Sequence, residues 1–291
     1  MNTKKILEAG EISSKVKEYA KTIIKKDIPL LEIVKKIEEK IIELGGKPAF
    51  PTNLSIDDIA AHYTPSYNEE TKAHGLLKID LGVHVNGFVA DTAFSLDLEK
   101  TEENKKLIQA AEQALENAIK ITNQNTLINE IGKTIQATIE AQDFSPIINL
   151  SGHSIEEYEL HSEITIPNHD NQNTTKLGKG LFAIEPFATS GSGKVYDGKP
   201  SGIYNLVDEK TPRSPTARKI LNFIQQEYKS LPFCQRWIVN NFGATATLAL
   251  KQLEENGNLH NYAQLVEASH KPVAQAEHTL LVDDEVIVTT E

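Results

Sequence analysis

The sequence predicts an α+β protein built on a curved, largely antiparallel sheet, and three observations carry that expectation. The first half reads helix, helix, β-hairpin, helix, helix, without the regular strand–helix–strand spacing of a parallel sheet. Residues 78–91 place Asn86-Gly87 between β-branched and apolar runs, a strong type I′ hairpin signal. A helix-rich stretch, residues 191–270, falls between two β-patterned segments, as an insert between strands would.

The elements follow in order. Residues 4–25 read as an amphipathic helix, and a second helix begins near Pro29 and stops at Gly45-Gly46. Residues 49–54 read as loop or short strand, and the second hairpin strand runs on through Phe94. Thr101 caps a helix reaching about Thr122, with Leu107, Ala110, Ala111, Ala114 and Leu115 on one face. A further helix is expected over about 127–141, short strands at 147–150 and 164–167, and a buried strand at 180–185. Gly191-Ser192-Gly193 makes a loop. Ser214-Pro215 caps and opens a helix to about residue 230, another covers about 244–255, and residues 279–290 are β-rich. The expected division is a main domain of residues 1–190 and 271–291 with an insert subdomain of 191–270.

The 291 residues suffice for a large core, and 39% hydrophobic with 24% charged residues is ordinary for a globular protein. A net charge of -11 argues against DNA or RNA binding by phosphate neutralisation and suits a cationic substrate or a metal. Cys234 is the single cysteine, so no intrachain disulfide is possible and a reducing, cytoplasmic setting is expected. Residues 1–26 lack the apolar region of a signal peptide, and no run is long and apolar enough to span a membrane.

The chemistry starts at Asp80 and Asp91, eleven residues apart on the two strands of the hairpin. Carboxylates brought together in a buried site need a shared proton or a cation. His153 follows Ser151-Gly152, and His161 lies eight residues on. Glu185 ends an apolar run, where a glutamate without a partner is rare, and Glu277 precedes the last β-segment. Singly, each has an ordinary structural explanation. Together they supply four carboxylates and an imidazole beside β-elements, the donor set of a two-cation site that activates water against a carbonyl. Oxygen-rich ligation favours harder divalent ions. His84, also in the hairpin, is expected to face solvent.

The order Asp80, Asp91, Gly152-His153, Glu185-Pro186, Glu277-His278-Thr279 resembles the metallopeptidases of the pita-bread fold. Ala61-His62-Tyr63-Thr64-Pro65, Ile79-Asp80-Leu81-Gly82 and Gly87-Phe88-Val89-Ala90-Asp91-Thr92 resemble methionine aminopeptidases, as do Leu160-His161 and Phe182-Ala183-Ile184-Glu185-Pro186. Glu185 and Glu277 stand 92 positions apart, and the segment between them, with Phe233-Cys234-Gln235-Arg236-Trp237, resembles the winged-helix-like, helical subdomain of the short, archaeal-style type II enzymes.

The resemblance implies removal of the initiator methionine from nascent polypeptides, with small second residues preferred and ribosome association possible in principle. It implies two divalent ions (Co, Mn, Fe or Zn) held by Asp80, Asp91, His153, Glu185 and Glu277, with Asp91 and Glu277 bridging. Glu185 would serve as general base, His161 would donate to the carbonyl oxygen, and His62 would contact the peptide beyond the scissile bond. Phe50, Pro51, Asn53, Leu160 and Tyr262 would line the methionine pocket. Tyr262 lies fifteen positions before Glu277 but lacks the usual following prolines, and Ala276 replaces an aromatic residue. Two other readings share the fold: an Xaa-Pro aminopeptidase, and a non-catalytic ribosome- or RNA-binding relative. Only 79 residues precede Asp80, too few for the large leading domain usual in Xaa-Pro enzymes, and the acidic chain retains all five ligand-type residues.

Overall fold

The computed structural model describes residues 2–291; Met1, the first residue of the expected main domain, lies outside them. Two strands, Leu76–Val85 and Phe88–Asp97, form the hairpin in unbroken antiparallel register. Its turn has φ of 53° at Asn86 and 92° at Gly87, as a type I′ turn requires. Asn53–Ile56 and Lys47–Pro48 pair with the first hairpin strand. Alternation along the hairpin sends Leu77, Ile79, Leu81, Val83 and Phe94 into a core shared with the helices Thr3–Ile23 and Leu30–Glu43. Asp80, Gly82 and Asp91 fall on the opposite face.

The second half repeats this plan. Strands Val286–Val288, His278–Val282, Gly180–Ile184, Ser151–Ile155 and Thr165–Pro167 form an antiparallel sheet in that order. Its core is shared with the helices Glu102–Ile121 and Ile128–Glu140 through Leu107, Ala111, Ile131, Phe182, Ile184 and Leu280. Thr101 caps its helix as expected, accepting the Asn104 N–H at 3.1 Å.

A β-bridge, Ala93 with Glu277, joins the two sheets. The seam is sealed by side chains. The Thr279 hydroxyl accepts the Asp91 N–H and donates to the Asp91 carbonyl, each at 2.8 Å. Thr92 donates to the Glu277 carbonyl and Ser95 to that of Gln275, also at 2.8 Å.

Between residues 191 and 270 stand the expected helix Pro215–Glu227, capped by Ser214, and the helix Ala246–Glu255. A third, Gln235–Phe242, lies between them. They share a core of Ala217, Ile220, Ile224, Phe233, Ile238, Leu250 and Leu253. The segment is not all helical, however. Two long strands, Val195–Leu206 and Leu259–Glu267, pair with each other, and the second also pairs with Ile59–Ala61 near the hairpin.

Two local expectations fail. Residues 147–150 are not a strand; the strands lie on either side, at Ser145–Pro146 and Ser151–Ile155. Asn149 accounts for the break, because its amide brackets the Val195 backbone, donating to its carbonyl at 2.7 Å and accepting its N–H at 2.9 Å. His84 is buried rather than solvent-facing. The loop carrying Tyr158 folds over the hairpin tip, with the two rings 5.8 Å apart, and the His84 Nδ1 accepts the Gly87 N–H.

Candidate metal centre and substrate cavity

A cavity of about 380 Å³ opens where the two sheets meet the insert. All twelve residues singled out from the sequence line it: Asp80, Asp91, His153, Glu185 and Glu277; His62 and His161; Phe50, Pro51, Asn53, Leu160 and Tyr262.

The hairpin register explains the aspartates. Asp80 stands opposite Ala93 and Asp91 opposite Gly82, so the two carboxylates are diagonal neighbours on one face. Gly82 matters here because a Cβ at that position would lie 2.3 Å from the Phe50 ring. The glycine lets Phe50 lie flat on the sheet beside Asp91. His153 projects from Ser151–Ile155, and a Cβ on the preceding Gly152 would sit 2.2 Å from the Ala183 carbonyl oxygen, so only glycine allows the two strands to approach. Ligand atoms of Asp91, His153 and Glu277 lie within 4.8 Å of one another. The His153 Nε2 is 3.8 Å from an Asp91 oxygen and 3.7 Å from a Glu185 oxygen.

The electrostatics are those of a site short of positive charge. Burial pushes the Asp80 carboxyl up to about 7. Burial, reinforced by the neighbouring carboxylates, holds Asp91, Glu185 and Glu277 well above the ordinary range. Asp80 Oδ1 and Asp91 Oδ1 are buried without a hydrogen-bond donor among the described residues. Burial also keeps the imidazoles neutral, lowering His153 to about 4 and His161 to about 3, the latter with help from His153 and His62; His62 is lowered for the same first reason. Unpartnered carboxylate oxygens facing a neutral imidazole are a cation's donor set.

The histidines have distinct settings. His153 and His161 meet edge to face at 4.4 Å. His62 has φ of 60°, a left-handed conformation that a non-glycine residue adopts only under constraint. Its Nδ1 lies 3.3 Å from the Ala263 carbonyl, and its ring meets Tyr262 edge to face at 5.4 Å.

Some residues at or beside the cavity escape sequence reasoning. Gln275 donates to Glu185 at 3.5 Å, and its place two residues before Glu277 is a period-2 signal that would have found it. Ile203, Pro232 and Leu265 come from the insert and carry no local signal, because only the chain's return brings them here.

With this geometry, the comparisons with known proteins become specific. The model of metallopeptidase family M24 matches residues 4–284. The chain belongs to metallopeptidase family M24. This M24 protein is 47% identical to the methionine aminopeptidase of Pyrococcus abyssi over 300 aligned positions, covering 100% of each chain. Among solved structures, it is similar to a thermophilic Arx1 (TM-score 0.82, 16% identity, 98% of this chain and 89% of that one). It is also similar to the methionine aminopeptidase of Thermotoga maritima (TM-score 0.71, 20% identity, 99% and 96%). At those identities the structural matches establish the fold, the pita-bread fold of M24 proteins.

Proposed function

We propose that the chain removes the N-terminal methionine from nascent proteins and peptides as a type II methionine aminopeptidase, preferring small second residues. The reading is supported above all by the convergence of five metal-ligand-type residues, two neutral histidines and an apolar wall on one cavity. The full-length relative of 47% identity supports the same substrate and does not favour an Xaa-Pro peptidase. Retention of every ligand-type residue does not favour a non-catalytic relative.

In this reading Asp80, Asp91, His153, Glu185 and Glu277 would hold the divalent ions, Asp80 serving one, His153 and Glu185 the other, and Asp91 and Glu277 both. When bound, the ions supply a Lewis acid and acidify nearby water. Glu185, between the Gln275 amide and the His153 ring, takes the proton of the attacking water. His161, kept neutral by burial, donates its N–H to the carbonyl oxygen as negative charge grows there. His62 spends Nδ1–H on the Ala263 carbonyl, which leaves Nε2 to accept from a peptide N–H beyond the scissile bond. Phe50, Pro51, Asn53, Leu160 and Tyr262 take the methionine side chain. We assign residues 1–190 and 271–291 to the catalytic domain and 191–270 to the insert, and extend the proposal to chains emerging from ribosomes in the cytoplasm.

The test is release of methionine by protein stripped of metal and reloaded separately with Mn, Fe, Co or Zn. Met-Ala and Met-Gly peptides should be cleaved well and Met-Leu poorly. Cleavage of Xaa-Pro peptides without methionine release would overturn the reading. His161→Ala should lower turnover on the order of 10²–10³-fold with metal content unchanged; loss of metal would make His161 a ligand instead.

A further inference from the structure

We infer that Arg236, in the insert, is a positioning residue for His62 and acts through the hydroxyl of Thr64. The inference rests on the reading of His62 as a substrate-contacting residue.

Arg236 is 1% exposed, an unusual fate for an arginine. Its Nη1 and Nη2 donate to the two carboxylate oxygens of Glu38 at 2.8 and 3.0 Å, a bidentate pair to the helix Leu30–Glu43. Trp237 Nε1 adds a bond to the same carboxylate at 2.9 Å. Glu38 therefore fixes the guanidinium, and its remaining donors point at the segment after His62. Nη2 donates to the Thr64 hydroxyl at 3.1 Å, and Nε to the Pro65 carbonyl at 3.2 Å.

Thr64 passes the constraint on, since its hydroxyl donates to the Thr52 carbonyl at 2.9 Å. Thr52 stands between Pro51 and Asn53 on the cavity wall. One hydroxyl thus links the guanidinium, the residue two beyond His62, and the wall that faces it. On its other side His62 is fastened to the same insert: Ala61 pairs with Leu265, and the imidazole bonds Ala263. The residue between these ties is the one at φ of 60°. A left-handed conformation at a non-glycine residue is strained, and here the neighbours on both sides hold it. Two sequence motifs more than 170 residues apart, His62-Tyr63-Thr64-Pro65 and Gln235-Arg236-Trp237, so form one support.

Arg236→Ala would strand the Glu38 carboxylate in the interior and endanger folding, so the informative variants are at Thr64. In metal-loaded protein, Thr64→Val should lower kcat/KM for a Met-Ala peptide on the order of 10-fold with metal content unchanged, and Thr64→Ser should restore it. Added to His62→Ala, Thr64→Val should cost little more, because both act through one imidazole. Labelling of His62 by diethyl pyrocarbonate, located by mass spectrometry, needs no turnover. It should change several-fold in rate in Thr64→Val and return to the wild-type rate in Thr64→Ser. An unchanged labelling rate, or a Thr64→Val loss that multiplies fully with that of His62→Ala, overturns the inference. Wild-type activity in His62→Ala would instead overturn the assigned role of His62, leaving the labelling result to decide the positioning.

Discussion

Two clusters in this molecule treat carboxylates in opposite ways. At the base of the insert, burial would raise Glu267, but hydrogen bonds from Lys271, Ser192 and Ser269 outweigh it and hold the carboxyl at about 2. Its oxygens accept the Ser192 N–H and hydroxyl at 2.6 and 2.7 Å, the Ser269 N–H and hydroxyl at 2.7 and 2.8 Å, and the Lys271 N–H at 3.1 Å. In the cavity, four carboxylates have few donors between them, the Gln275 amide beside Glu185 and the Thr92 N–H beside Asp91, and all are pushed up. Glu267 is held by exposed residues and meets a lighter burial penalty than the cavity carboxyls, so the supply of donors and the shallower setting together make the difference. The Glu267 charge is met by the chain itself, which ties the Ser192 loop to the turn Ser269–Lys271. The cavity group lacks that solution, and its shortage is what makes it a cation site.

The contrast can be broken at either end. The largest effect is expected at Asp91→Asn. Activity should fall to background, while the metal-free variant should melt above the metal-free wild type because one repelling carboxylate is gone. A lower melting temperature would mean that Asp91 is held by unseen donors, as Glu267 is by visible ones. A smaller effect concerns pH. The cavity carboxyls lie higher in the folded protein than in the unfolded chain, so without cations their contribution is fullest below the ordinary carboxylate range and is lost as pH rises through the raised values, about 7 for Asp80. Added Mn should therefore raise the melting temperature by about 5 °C more at pH 8 than at pH 5, and a pH-independent gain would contradict the cluster's assigned electrostatics. Smallest is Glu267→Gln. A lowered folded value contributes stability above the unfolded value of about 4.5 that is lost as pH falls toward about 2. The variant should lose about 2 kcal/mol at neutral pH and show a flatter acid limb in chemical denaturation; an unchanged acid limb would show that the five donors do not act on the charge.

The sequence made the cavity's components legible to unequal degrees. Asn86-Gly87 announced the hairpin, and its strict alternation set Asp80 and Asp91 on one face, so that pair follows from local chemistry. His153, Glu185 and Glu277 have ordinary explanations when taken singly, and only their order, carried by the family resemblance, united them. The strand Val195–Leu206 was illegible because Gly198, Pro200 and Gly202 interrupt it, and register shifts on both sides of Pro200 accommodate them. His84 looked like a polar strand residue because nothing near it in sequence reveals Tyr158. Asn149 looked like part of a strand because its partner, Val195, lies 46 residues away.

The Ala93–Glu277 bridge has a consequence for the order of assembly. The hairpin forms from neighbouring residues, yet the carboxylate completing its site lies 184 positions further along, and the Thr279 bonds to Asp91 span 188. Closing loops of that length comes at high contact order. During synthesis Asp80 and Asp91 emerge long before Glu277, and the carboxylate cluster is incomplete until the strand His278–Val282 has docked. Full-affinity cation capture therefore belongs to the finished fold, and a chain truncated before Thr279 should retain the hairpin sequence but not the cation-dependent gain in stability.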